Sequence, residues 1–212
     1  VAKPGEHTEQ VIEHGFGGEP RAQFEATQSA ESTRPLQGFK VIDATQGFSG
    51  PFLGLLLAEG GAEVIKVEQP SGDWARQLAP QTAAGNSALY DAFNRNKSCV
   101  TLDLDSTDGR QAFQAMAKDA AVVIEDWGPG KAKQRGLDYE TLTKTNPGLV
   151  YQALTPFGEV GPMKDLPGSE LVVQAMTGYL RLLGSMGEPP VRVGSDIVGT
   201  CTGSVAFIGV LA

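Results

Sequence analysis

The sequence predicts an α/β protein: a doubly wound, mostly parallel sheet with helices on both faces. Two observations predict it. Short β-branched runs recur along the chain, "KVIDAT", "EVIKVE", "SCVTLDL", "AVVIED" and "GLVYQAL", the composition of strands buried on both sides. Segments of helical periodicity separate them, so successive strands are joined by crossovers rather than hairpins.

The first strand is "KVIDAT" (40–45), and "QGFSGP" (46–51) turns the chain, with Pro51 where a first helical turn tolerates it. "FLGLLLAEGGA" (52–62) reads as a short helix buried on most sides and ended by Gly60 and Gly61. "EVIKVE" (63–68) completes a βαβ unit, with a right-handed crossover expected. "SCVTLDL" (98–104) is a strand, and "STDGRQAFQAMAKDA" (106–120) a helix with Phe113, Met116, Ala117 and Ala120 on one face. "AVVIED" (121–126) is a strand running into "WGPG". A short helix over "DYETLTKT" (138–145) is capped by Asp138, and "GLVYQAL" (148–154) is a further strand. "SELVVQAMTGYLRLLG" (169–184) is a helix that Ser169 caps, with Glu170 in its first turn.

Ahead of these elements, residues 1–18 form a compact piece with a glycine-rich stop. Residues 19–35 are polar and without a sustained period, which is linker composition, and a boundary falls near Pro35.

Charge and composition exclude several functions. A net charge of −8 argues against nucleic acid, which needs a basic face, but not against a small polyanion held by a few local cations. The two cysteines, Cys99 and Cys201, make neither a disulfide framework nor a metal-ligand spacing, and a reduced, cytoplasmic setting is expected with no metal. The longest apolar run, "SVAFIGVLA", is far short of a membrane span, and no membrane partner is expected. The chain opens on Val1 without a secretory signal, and the sequence reads as a piece of a longer polypeptide.

In open sheets ligands sit beyond the carboxyl ends of the strands. Those ends are "QGFSGP" (46–51), "EQPSGD" (68–73), "EDWGPG" (125–130) and "TPFGEVGP" (155–162). The first strand is not followed by GxGxxG, and the sequence holds no P-loop, which disfavours a nicotinamide or ATP enzyme.

The same turns carry a resemblance. "PLQGFKVIDATQGFSGPFLGLLLAEGGAEVIKVEQPSGD" resembles the opening of class III CoA-transferases, the family of formyl-CoA transferase and carnitine CoA-transferase. "FNRNKSCVTLDL", "EDWGPGKAKQRGLDYETL", "NPGLVYQALTPFGEVGP", "PGSELVVQAMTGY" and "PPVRVGSDIVGTCTG" match later blocks of that family in order, over about residues 35–212. "PGEHTEQVIEHGFG" is similar to the family's closing helix. The resemblance therefore implies a tandem parent. Residues 1–18 would be the C-terminal tail of a preceding copy, 19–35 a linker, and 36–212 the N-terminal part of a Rossmann-like large domain whose small domain is absent from this span.

The resemblance implies transfer of CoA between an acyl-CoA thioester and a small carboxylic acid, with coenzyme A as a substrate and no tightly bound cofactor. Asp196 matches the family's nucleophile, which forms a mixed anhydride and then an aspartyl-CoA thioester. Gly194 and Gly199 would allow close backbone approach. From the residues alone, Asp196 reads equally as a cap on the helix "IVGTCTGSVAFIGVLA". Glu170 matches an acidic residue lining the family's active site, and reads otherwise as a first-turn carboxylate serving the helix dipole.

Phe48, Leu102 and Trp127 match positions that touch CoA in the family, although Leu102 and Trp127 also read as ordinary core. Lys131, Lys133 and Arg135 offer cations for phosphates, or simply a solvated helix face. Gln69, Asp105 and Gln134 stand where the family often has basic residues, and Asp126 where it has an asparagine. These departures point to weakened CoA binding. Related racemases carry a histidine at the position of Ser169, and His7 and His14 lie in no matching motif, which disfavours a two-base racemase.

By resemblance the full enzymes are interlocked dimers, and a sister copy or second subunit is the expected protein partner. Two alternatives stand beside transfer: a non-catalytic CoA-binding or structural copy, and an acyl-CoA lyase, isomerase or racemase. Residues 1–212 alone, as a fragment of a larger parent, are expected to be inactive.

Overall fold

The computed structural model describes residues 1–14, 34–83, 85–185, 187–194 and 196–212. Most of the expected linker, and the glycine-rich stop before it, lie outside the described residues.

Five strands, β1 (Lys40–Ala44), β2 (Glu63–Glu68), β3 (Lys97–Thr101), β4 (Val122–Glu125) and β5 (Val150–Ala153), form one sheet in the order β3-β2-β1-β4-β5. Every pairing is parallel. The chain thus winds outward in one direction from β1 to β3 and then returns to start again at β4. This places a topological switch between β1 and β4, where the loops leaving two adjacent strands diverge and open a crevice.

Helices pack on both faces, as the sequence predicts. Alternate strand residues face opposite sides. Ile42, Ala44, Ile65, Val67 and Val123 face one layer, with Phe113, Met116, Ala117 and Ala120. These helical residues come from α4 (Thr107–Ala117) and the turn after it, and they form the face expected from their spacing. Val41, Val64, Val122 and Ile124 face the other layer, against Leu53 and Leu57 of α2 (Ser49–Glu59) and Ala206 of α8 (Ile197–Leu211). Phe113 and Leu53 are fully buried, and each such side chain contributes roughly 1.5–3 kcal/mol of apolar burial.

Helix α2 is apolar on nearly all sides because it is covered twice, by the sheet and by α8. The close approach of α8 is set by Gly199 and Gly203. A Cβ on Gly203 would lie 2.7 Å from the Ser49 carbonyl oxygen, and one on Gly199 would lie 3.2 Å from Ser49 Oγ. The backbone approach expected of Gly199 is thus made to a helix. A Cβ on Gly194 would meet no described atom within 4 Å.

Most elements end within a few residues of the sequence-based boundaries, and the larger differences have local causes. Helix α2 starts at Ser49, two residues before Pro51, which still falls in the first turn, where its missing N–H costs no intrahelical bond. The helix expected over 169–184 ends at Met176 (α7, Glu170–Met176), since Gly178 adopts φ +74° and starts a separate 3-10 turn, Tyr179–Arg181. Two further short helices, α3 (Ala88–Asn94) and α5 (Lys131–Arg135), lack the length for a clear period. In two of the caps named from sequence, the side chain accepts an amide hydrogen bond: Asp138 from Thr141 opening α6 (Tyr139–Leu142), and Ser169 from Val172 opening α7. A first helix, α1 (Thr8–His14), lies along β3, with Val11 buried.

Candidate active site

A buried set of charges that sequence reasoning did not find lies on the α2 face of the sheet. Asp43 and Lys66 are register partners on β1 and β2 and point to the same face. Lys97 Nζ lies 2.8 Å from Asp43 Oδ2 and also donates to the Pro51 carbonyl and to Asn94 Oδ1. Burial opposes ionisation of Asp43, but Lys66, Lys97 and Thr45 outweigh it and hold its carboxyl down at about 2. Lys66 Nζ contacts Asp73 Oδ2 at 3.1 Å and donates to the Thr45 carbonyl. Glu68 receives two nitrogens of Arg76 and the Tyr90 hydroxyl.

These charges shape the loops above them. Asp73 accepts the amide of Gly47 at 3.0 Å and that of Ala75 at 2.9 Å, tying the turn after β1 to the turn after β2. From the other side, Asp126 Oδ2 accepts the Gln46 amide at 2.8 Å. The turn at residues 45–48 is therefore clamped between two carboxylates, one from each neighbouring strand end. Trp74 stacks on that turn at Gly47, which has φ +75° and leaves no room for a Cβ.

The resulting cavity encloses about 730 Å3, and its lining includes Gln46, Gln69, Trp74, Leu104, Trp127 and Arg135. Two indole rings flank a site that also carries Asp103, Asp105, Asp126 and Lys131. Trp127 is fixed from three sides: its Nε1 donates to the Ala44 carbonyl at 3.0 Å, its amide donates to Glu125, and its ring meets Phe113 edge-on. Arg135 lies with its guanidinium carbon 5.2 Å from the centre of the Trp127 ring. Its charge is already engaged, because Asp105 accepts from both Nε and Nη2, at 3.1 and 2.9 Å. Burial pushes the Asp126 carboxyl up to about 6, against the pull of the Gln46 amide and Lys66.

Of the residues singled out from sequence, Trp127 and Arg135 line this crevice, together with Lys131, Gln69 and Asp105. Phe48 stands beside it, edge-on to Trp74 at 5.5 Å and to Phe93 at 5.6 Å. Leu102 is 5% exposed in the core, while Leu104 two residues on lines the cavity. Exposed Lys133 faces Glu140 at 4.0 Å. Trp74, Asp73 and Lys66 were not singled out. The signal for Lys66 was a lone cation in the middle of an apolar strand, "EVIKVE", which is costly unless paired.

The second cluster lies at the N-terminus of α8, which abuts the start of α2 through Gly199. Asp196 occupies the N-cap position yet makes no capping hydrogen bond with its side chain. Glu170 takes that role instead. Its Oε1 accepts the Val198 amide at 2.8 Å, and its Oε2 the Gly199 amide at 3.0 Å. Gln174, fully buried on α7, donates to Glu170 Oε1 at 2.6 Å. Burial opposes ionisation of Glu170, but these donors and Asp196 outweigh it and hold its carboxyl below the usual range. Asp196 moves the opposite way: burial raises it, and the adjacent Glu170 carboxylate, hydrogen-bonded to it, raises it further against the pull of Arg192. The pair thus separates into a fixed anion on Glu170 and a carboxyl on Asp196 that the helix does not use.

Among the described residues no group of histidine, cysteine or acidic side chains is arranged to hold a metal, and no helix is long and apolar enough to cross a membrane.

The doubly wound sheet, with an indole-lined crevice at its switch point and a carboxyl pair at an adjoining helix end, defines the class as a parallel-sheet α/β protein. The chain belongs to CoA-transferase family III, whose sequence profile matches residues 36–212. It is 33% identical to mouse succinyl-CoA:glutarate CoA-transferase over 183 residues, 86% of this chain and 42% of that protein. To acetyl-CoA:oxalate CoA-transferase of Acetobacter aceti it is 36% identical over 187 residues, 87% of this chain and 48% of that protein. Among solved structures, a protein of the CAIB/BAIF family from Brucella suis superposes with a TM-score of 0.77 at 34% identity, covering 84% of this chain and 49% of that one. The chain spans less than half the length of these curated relatives.

Proposed function

We propose that this chain supplies the CoA-binding crevice and the nucleophile of an enzyme that moves coenzyme A from an acyl-CoA thioester to a small carboxylic acid. One observation carries the reading: Asp196 stands at the α8 N-terminus beside Glu170, but its side chain makes no capping hydrogen bond. A carboxyl spared from that structural work is available for covalent chemistry.

In the proposed sequence the Asp196 carboxylate attacks the thioester carbonyl, the carbon–sulfur bond breaks, and CoA leaves as thiolate. The product is a mixed anhydride of Asp196 and the acyl group. The thiolate then attacks the aspartyl carbon, expels the first acid as its carboxylate and leaves an aspartyl-CoA thioester. The acceptor carboxylate attacks that thioester, regenerating thiolate and a second anhydride. Attack of the thiolate on its acyl carbon releases the new acyl-CoA and frees Asp196. Each step passes through an oxyanion, and the partial positive charge at the ends of α8 and α2 favours it.

Within this reading Trp127, Trp74 and Leu104 wall the adenine or pantetheine arm, Phe48 stands between the crevice and the carboxyl pair, and Arg135 and Lys131 meet the phosphates. Groups that recognise the acid belong to polypeptide beyond these residues, in a longer chain, a sister copy or an interlocked second subunit. The protein works in the cytoplasm.

A second reading rests on Asp105. It accepts from both Nε and Nη2 of Arg135, while Gln69 and Gln134 add no charge, so this copy would bind CoA weakly and leave catalysis to a sister domain. One experiment separates the two readings. The protein in its full-length context is incubated with succinyl-, acetyl- or formyl-CoA, trapped with hydroxylamine, and mapped by peptide mass spectrometry. A hydroxamate on Asp196, absent from Asp196→Ala, supports transfer by this copy, whereas modification confined to another copy supports the second reading.

A further inference from the structure

The sheet has an open edge. β3 has a single strand neighbour, so every second amide and carbonyl along it points away from the sheet and needs a partner from elsewhere. Residues 1–14 supply them. The His7 amide donates to the Cys99 carbonyl at 2.9 Å, and the Cys99 amide donates back to His7 Nδ1 at 3.1 Å. One register step on, the Thr101 amide donates to Thr8 Oγ1 at 2.9 Å. The Gly5 amide reaches the Cys99 sulfur, and the Ala2 carbonyl accepts from Arg76 Nη2 at 3.4 Å. Val11, 6% exposed, then enters the core layer that holds Val100 and Leu102.

This is not an added strand. Two of the edge groups are met by side chains, and each demands a particular chemistry: an unprotonated ring nitrogen at position 7 and a hydroxyl at position 8. Position 5 demands glycine, because its φ is +70° and a Cβ would sit 3.0 Å from Thr101 Oγ1. Position 11 demands an apolar side chain of the size of valine. A generic polar tail satisfies none of these.

We infer that the free edge of β3 is a peptide-docking surface whose ligand is this chain's own segment Gly5–Val11, read as Gly-x-His-Thr-x-x-Val, and that docking closes the sheet edge and shields Cys99. The segment docks onto its own domain. Twenty peptide links separate His14 from Arg34; at about 3.3 Å each they reach on the order of 65 Å, against a domain width of roughly 40 Å. Covalent connection within that distance holds the segment near its seat at about millimolar effective concentration, above that of any second copy in dilute solution.

The test uses the whole chain and two readouts that need no substrate: amide hydrogen exchange and thiol labelling, with exposed Cys201 as the internal reference. In Val11→Asp and in His7→Ala, exchange at the Cys99 and Thr101 amides rises about tenfold or more, and Cys99 alkylation accelerates similarly. Exchange at Ile42 and Val123 in the central strands, and labelling of Cys201, stay as in the unmodified chain. His7→Asn keeps an acceptor near the Nδ1 position and restores most of the protection. Unchanged exchange and labelling in both variants overturns the docking. Protection lost equally at Ile42 and Val123 overturns it as well, since the segment is then an inseparable part of the core. Protection that falls on dilution from about 100 to 1 µM overturns the assignment to the chain's own domain and gives the seat to a second copy.

Discussion

Glu170, and not Asp196, caps helix α8. Its two carboxylate oxygens hold the amides of Val198 and Gly199, while Asp196, in the N-cap position itself, makes no such bond. One of two neighbouring acids thereby makes the cap, and under the proposed mechanism the other is left for chemistry. Removing each acid then has a different consequence. Glu170→Ala loses about 1 kcal/mol of stability with the cap. Asp196→Asn stays within about 0.5 kcal/mol of the parent and abolishes the covalent adduct. Chemical denaturation of both variants checks the stability half. A destabilisation of Asp196→Asn equal to that of Glu170→Ala would return Asp196 to a structural role.

The same pair sets a pH dependence. Burial and the Glu170 anion raise the Asp196 carboxyl above its ordinary range, and only the carboxylate form is nucleophilic. Adduct formation therefore falls as pH drops through that raised value, earlier than for an ordinary aspartate. Glu170→Gln removes the like charge and lets Asp196 ionise at lower pH, so the acid limb of the rate profile moves down. Rapid-quench trapping across pH 4 to 8 in both proteins reads the limb directly (about the range over which carboxyls titrate). A limb that stays in place, or moves up, would separate the two carboxyls electrostatically and contradict their coupling.

The crevice makes a prediction about affinity. Asp105 is 74% exposed at its side chain and neutralises Arg135, so its removal frees a cation beside the Trp127 ring. Asp105→Asn tightens CoA binding by about 0.5 kcal/mol at low salt, and Gln69→Arg by a similar amount. Both gains shrink as salt is raised, because exposed charges are screened within about 10 Å at 0.1 M. Calorimetric titration of CoA at two salt concentrations measures this. Affinity unchanged by either substitution at low salt would move the phosphates away from this wall.

On the α2 face of the sheet, Lys97→Met leaves the Asp43 carboxylate buried with its direct ion-pair partner removed. Breaking a buried pair from one side costs about 3–5 kcal/mol. The double change Asp43→Asn with Lys97→Met removes both charges and recovers part of that loss. Because Asp43 titrates at about 2 in the folded state, below its value of 3.8 in a free chain, its contribution is fully present above pH 4 and disappears as pH falls toward 2. Denaturant midpoints of the three proteins near neutral pH test the pair. A double variant no better than the single one would assign the loss to packing rather than to charge.

How far these features were legible differs by element. The strands β1, β2 and β4 were readable because each is buried almost throughout and so is rich in valine and isoleucine, whereas β5 is only half-buried, and α4 was readable because Phe113, Met116 and Ala117 keep helical spacing. α7 was misjudged in length because its apolar residues continue past Gly178, and only the left-handed backbone there shows the break. Asp196 and Glu170 were named from sequence, but their division of labour was not, since residues 26 apart give no sign of which one reaches the helix end. The buried charges left a trace in the lysines of two strands. Their pairing with Asp43 and Asp73 needed the parallel register, which no local pattern encodes.

Glu125 offers a last prediction, on stability. Its Oε2 accepts the Trp127 amide at 2.7 Å, but Oε1 is buried without a hydrogen-bond partner. Burial, with Glu159 and Asp126 nearby, pushes the carboxyl up to about 7 despite the Trp127 amide and Arg135. An acid raised on folding costs nothing while it is protonated in both states, below its ordinary value of 4.5. The cost grows as pH climbs from there to about 7 and is constant above. Glu125→Gln keeps an oxygen for the Trp127 amide and removes the charge. It is therefore neutral or slightly destabilising at pH 4.5, because one buried amide proton lacks an acceptor, and stabilising by about 1–2 kcal/mol at pH 8. Urea denaturation of both proteins at the two pH values decides the matter. An advantage of the glutamine that is the same at pH 4.5 and pH 8 would place the gain in packing and remove the buried charge from the account.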